Sequence, residues 1–62
     1  MLLQQKIKML LKKFEMTHVE IANFIGVSER AVYRWEIGKK AHRVFEKKVD
    51  ELVNMKKVVI DG

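Results

Sequence analysis

Between Met16 and Gly38 the chain carries two sets of helix punctuation in direct succession, "MTHVEIANFIGVSERAVYRWEIG", and this limits its fold more than any other feature. Thr17 followed three residues later by Glu20 is a capping box: the hydroxyl takes the Glu20 amide while the Glu20 carboxylate reaches back to the Thr17 amide. Met16 and Ile21 stand in hydrophobic-staple positions around it. The apolar residues Ile21, Ala22 and Ile25 then turn inward, and Gly26 follows, the residue that best tolerates the left-handed conformation of a tight helix exit. Ser28 is the next cap, with Val27 and Val32 as its staple. The spacing predicts one helix over about 18–25 and a second over about 29–36, joined by a turn too short for any other element.

The flanks fit the same class. Leu3, Ile7, Leu10 and Phe14 fall on one face of a first helix, with Lys6, Lys8, Lys12 and Lys13 mostly on its wet side. After Gly38 comes a basic connection, "KKAHR", without a strong cap. Phe45, Val49, Leu52 and Val53 then mark the inner face of a fourth helix, on which Lys47 and Lys48 occupy the solvated side. There is no proline and no Ser- or Gly-rich linker. The expectation is an all-α, four-helix domain over residues 1–55. Residues 56–62 differ, because Val58, Val59 and Ile60 are β-branched and favour extended chain. This tail either pairs with the same strand of a second molecule, stays frayed, or begins a hairpin at Asp61-Gly62.

A chain of 62 residues is near the lower limit for burying enough apolar surface to fold without a staple. Without cysteine it has neither disulfide nor thiolate metal site, which fits a reducing, cytoplasmic compartment. Thirteen Lys and Arg against eight Asp and Glu give a formal charge of +5. The partners this suggests are nucleic acid first and a membrane surface second, although such a charge also serves solubility alone. "MLLQQKIKMLLKK" is broken by Lys6 and Lys8, so it is neither a signal-peptide core nor a membrane span; an amphipathic membrane helix is the weaker alternative.

The charge is placed informatively. Val32 and Trp35 face the inside of the third helix, while Glu29, Arg30, Tyr33 and Arg34 point outward as a polar, planar and basic face. Ser28 reads as a cap rather than a nucleophile, since no His and carboxylate arrangement accompanies it. Trp35 reads as core. His18 and His42 are too few for a metal site. The expectation is a binding protein, not an enzyme, with no cofactor.

With Thr17, Ala22, Gly26-Val27-Ser28, Val32 and Trp35-Glu36-Ile37-Gly38 in place, residues 7–38 resemble the lambda repressor and Cro family, the Xre-type helix-turn-helix. The resemblance covers about half of the chain and preserves the intervals from Ala to Gly to Val to Trp. It implies a bracing helix and a recognition helix that enters the major groove of double-stranded DNA. Ala22 is small because it lies where the two helices cross.

Carried over residue by residue, the resemblance implies base reading by Glu29, Arg30, Tyr33 and Arg34. Phosphate contacts would come from His18, Ser28, Lys39, Lys40 and Arg43. Either arginine can form a bidentate fork to guanine, and Glu29 can accept from cytosine, so a site with G·C pairs is expected. The implied role is a transcriptional regulator, a Cro-like repressor, acting as a homodimer in a bacterial, archaeal or phage-infected cell.

The chain departs from the family pattern at two positions. His18 replaces the usual Gln, and Leu11 stands where many members carry an Arg that pairs with the residue matching Glu36, leaving Glu36 to another cation or to solvent. There is also no room for the family's fifth helix. Two rival readings keep the scaffold. One is the DNA-recognition module of a phage packaging, replication or recombination assembly. The other is an antitoxin-like adaptor that binds a protein partner through the C-terminal tail or the first helix.

Overall fold

The computed structural model describes the backbone of residues 2–61 and the side chains of residues 2–58. Four helices follow one another: α1 (Leu3–Lys12), α2 (His18–Ile25), α3 (Glu29–Glu36) and α4 (Arg43–Asp61). No strand occurs among the described residues. The domain is all-α, as the periodicity predicts.

The local punctuation forms as its chemistry requires. At α2 the Glu20 amide donates to Thr17 Oγ1 at 3.1 Å and the Thr17 amide donates to Glu20 Oε1 at 2.9 Å, closing the capping box. Gly26 adopts φ 89°, and both its own amide and that of Val27 fold back onto the Ala22 carbonyl, at 2.8 and 3.1 Å. Ser28 Oγ then accepts from the Ala31 amide at 3.3 Å and opens α3. That helix ends the same way: Gly38 sits at φ 102° while its amide reaches Trp35 and the Lys39 amide reaches the Arg34 carbonyl.

The exit from α1 uses a different residue. Glu15 takes φ 57°, a left-handed position that costs a side-chain-bearing residue about 1–3 kcal/mol. The Met16 amide returns to the Leu10 carbonyl at 3.0 Å.

Ile7 and Leu10 of α1, Ile21, Ala22 and Ile25 of α2, Val32 and Trp35 of α3, and Val49, Leu52 and Val53 of α4 form one buried core. Leu3, Phe14 and Phe45, predicted on the same faces, pack against it half-buried. Trp35 is 5% exposed and its ring lies 5.9 Å from that of Phe45, so it is a core residue. A Lys6–Asp50 ion pair ties α1 to α4, and Gln4 Nε2 donates to the Glu36 carbonyl at 3.0 Å, satisfying a free acceptor at the end of α3.

One expectation is corrected and one is refined. Residues 56–61 are not an extended tail, because α4 continues without a break to Asp61; Gly62 lies outside the described residues. Valine and isoleucine disfavour a helix by only a few tenths of a kcal/mol each, and an already nucleated helix supplies a hydrogen bond per added residue. A lone strand has no ladder to join. The basic connection, expected to lack a strong cap, carries a weak local one. His42 Nδ1 accepts from the Val44 amide at 3.3 Å, and the His42 carbonyl accepts from the amides of Phe45 and Glu46.

Candidate nucleic-acid interface

The α3 helix is eight residues long, and its two faces are sharply divided. Val32 and Trp35 are buried, whereas Glu29, Arg30, Tyr33 and Arg34 are all exposed. At 100° per residue these four side chains share one arc of the helix, running from Glu29 through Tyr33 and Arg30 to Arg34. The ion pairs among the described residues are Lys6–Asp50 and His18–Glu36. Neither arginine of α3 is therefore neutralised by a carboxylate there. Both guanidinium forks face solvent with their donors uncommitted to an acidic partner.

Ile37, which belongs to the Trp35-Glu36-Ile37-Gly38 motif but carries no DNA-contact expectation, falls on the same arc and is 70% exposed. An apolar side chain so exposed beside two arginines can contact a thymine methyl. The only sequence signal for it is its place one residue before Gly38, at the helix exit.

His18 has a more definite place than its sequence position suggests. It begins α2, and its ring stacks on Tyr33 with centroids 3.8 Å apart and planes 11° from parallel. Its Nε2 lies 2.7 Å from Glu36 Oε1. A carboxylate only accepts, so Nε2 carries the proton and Nδ1 is the ring nitrogen left for an outside ligand. His18 thus joins the start of α2 to the middle and end of α3. Leu11 packs half-buried against the core, and His18 is the group that meets the Glu36 carboxylate.

Tyr33, held beneath that ring, has its phenol pKa raised above the ordinary 10.0, first by partial desolvation and then by the carboxylates of Glu29 and Glu36. The hydroxyl stays protonated, a donor and acceptor, throughout the neutral range.

The cationic groups assigned to phosphate do not all converge. Lys39 and Lys40, both exposed, meet Arg34 and His42 around an open cleft of about 660 Å³ between the end of α3 and the start of α4, floored by Ala31, Trp35, Ala41 and Phe45. Arg43 is exposed on the first turn of α4 and does not line this cleft. Ser28 is exposed at the start of α3; its oxygen already serves the cap, and its hydroxyl hydrogen remains available to an acceptor.

Among the described residues no group of three His, Cys, Asp or Glu side chains is arranged to hold a metal ion, and no helix is long and apolar enough to cross a membrane. Comparison with protein-family models, with curated proteins and with solved structures found no match to this chain.

Proposed function

We propose that the chain is a sequence-specific double-stranded DNA-binding domain of the helix-turn-helix kind, a transcriptional regulator of Cro type, with α2 as brace and α3 in the major groove. The observation that carries the reading is the outer arc of α3: two arginines without internal carboxylate partners, a tyrosine and a glutamate share one exposed helical face whose opposite side is anchored in the core. A helix of this width fits the major groove of B-DNA, and these side chains match the groove's donor and acceptor code.

In this reading Arg30 and Arg34 bond guanine O6 and N7, Glu29 accepts from cytosine N4, and Tyr33 touches a thymine methyl or a phosphate. Lys39, Lys40 and Arg43 grip the backbone and fix position without specifying sequence. One module of this size binds weakly, so two copies act together on an inverted repeat with half-sites about 34–36 Å apart.

Selection of bound duplexes from a random pool at about 0.15 M salt tests the proposal, because that ionic strength screens weak nonspecific contacts. The expected product is an inverted repeat containing G·C pairs. Arg30→Ala should lower affinity by about 1–3 kcal/mol and relax selection at one base pair per half-site. Recovery of no motif, or a motif unchanged by Arg30→Ala and Arg34→Ala, refutes it.

A further inference from the structure

Outside the core and the α3 face, the exposed large apolar side chains among the described residues are Leu2 before α1, Val19 and Phe24 on different sides of α2, and three residues that share one face of α4. Val44, Met55 and Val58 of α4 are 53%, 53% and 70% exposed, and with the exposed Lys48 and Glu51 they fall at spacings of four, three, four and three. At 100° per residue all five lie within about 80° of arc. The core residues Val49, Leu52 and Val53 occupy the neighbouring arc, and Arg43, Lys47, Asn54 and Lys57 the one beyond. Lys48 therefore does not sit on a uniformly solvated face: together with Glu51 it interrupts an apolar stripe. Neither takes part in the ion pairs found among the described residues.

We infer that this stripe is a self-association surface on which α4 packs antiparallel against α4 of a second copy. The charge order selects both occupant and direction. In a two-fold antiparallel pair, the register that sets Lys48 against Glu51 of the second copy also sets Val44 against its Met55, so charge meets charge and apolar meets apolar. A parallel pair in register would set Lys48 against Lys48 and Glu51 against Glu51, a repulsive arrangement.

Two copies of a chain of formal charge +5 repel one another overall, which favours contact where the charge is locally balanced, and this stripe carries one cation and one anion. The repeat of four and three is that of a two-helix seam. One helix face buries less than a standard interface, so the dimer is weak and reversible in free solution.

The inference stands on α4 alone and uses no property of the α3 face, so failure of duplex selection leaves it intact, and its own failure leaves DNA reading by α3 intact. The test is sedimentation equilibrium of the full chain from about 1 µM to about 1 mM without DNA. A monomer–dimer equilibrium is expected. Lys48→Glu and Glu51→Lys singly should each weaken it by about tenfold or more, and the combined swap should restore it to within about threefold. Both positions are exposed, and far-UV circular dichroism checks that each variant is folded.

A chain that stays monomeric at every concentration overturns the inference. So does a dimer indifferent to either single swap, or a double swap that fails to restore association. A Met55→Lys variant that dimerises as tightly as the parent overturns it as well.

Discussion

The contact between His18 and Glu36 gives the sharpest quantitative prediction. Removing the imidazole by His18→Ala deletes two interactions: a 2.7 Å hydrogen bond to a carboxylate and a stack at 3.8 Å on Tyr33. A hydrogen bond to a charged group contributes about 1.5–3 kcal/mol when buried, and exposed ion pairs about 0.2–1. With side chains 21% and 31% exposed, the pair lies between these limits, near about 1 kcal/mol. The stack adds about 0.5–1. His18→Ala should therefore cost about 1.5–2 kcal/mol, against a total stability of about 3–9 for 62 residues.

Urea and thermal unfolding at neutral pH, followed by far-UV circular dichroism, would measure this on the parent, His18→Ala, Glu36→Ala and the double variant. The melting temperature should fall by about 4–8 °C per kcal/mol. The cycle should return a coupling near 1 kcal/mol. Glu36→Ala is a clean partner, because Gln4 bonds the Glu36 backbone carbonyl, which the substitution leaves in place. A coupling below about 0.3 kcal/mol would refute the reasoning and reduce His18 to a solvated residue beside α3.

Tyr33 is the chain's single tyrosine, so tyrosinate absorbance reports it alone. Its midpoint should lie above 10.0 and fall when Glu29 is changed to Gln. Because the folded value is the raised one, stability associated with this group is complete below pH 10 and is lost as pH rises through the folded value. Glu15→Gly should raise stability by about 0.5–1 kcal/mol in urea melts, since φ 57° strains any residue with a Cβ. Gly26→Ala should lower it by about 1 kcal/mol or more; nothing lies within 4 Å of the added carbon, so the φ of 89° alone sets the cost. For duplex binding, Lys40→Ala should weaken all sequences alike and reduce the slope of log affinity against log salt by about 1, as titration of binding with salt would show.

What could be read from the sequence was what local chemistry determines. Thr17 with Glu20, Gly26 and Ser28 fix the bounds of α2 and α3 through hydrogen bonds spanning a few residues, and both helices have the predicted limits. The inner faces followed from periodicity for the same reason. The outward set Glu29, Arg30, Tyr33 and Arg34 came from the wheel of α3 once Val32 and Trp35 were placed inside.

What escaped was either nonlocal or chemically unusual. The His18–Glu36 contact joins residues eighteen apart, and nothing in the chain marks it. Histidine is not among the common cap residues, so His42 went unseen at the start of α4. Glu15 gives no sign of a left-handed backbone, which a glycine or asparagine would have given. Residues 56–61 are helical despite the β-branched side chains among them because a long helix offers its continuation to residues at its end.

The eight-residue length of α3 has a consequence for any test of the proposed DNA binding by loss-of-binding variants. Two turns of helix are too short to hold their shape in water alone, so the order of the outer arc of α3 is borrowed from Val32, Trp35 and the core beneath them. In the proposed function, folding and DNA reading then form one equilibrium. A screen for lost binding would return core positions such as Trp35 alongside the arginines, and temperature would sort them: core variants should regain binding on moderate cooling, while a missing guanidinium stays missing.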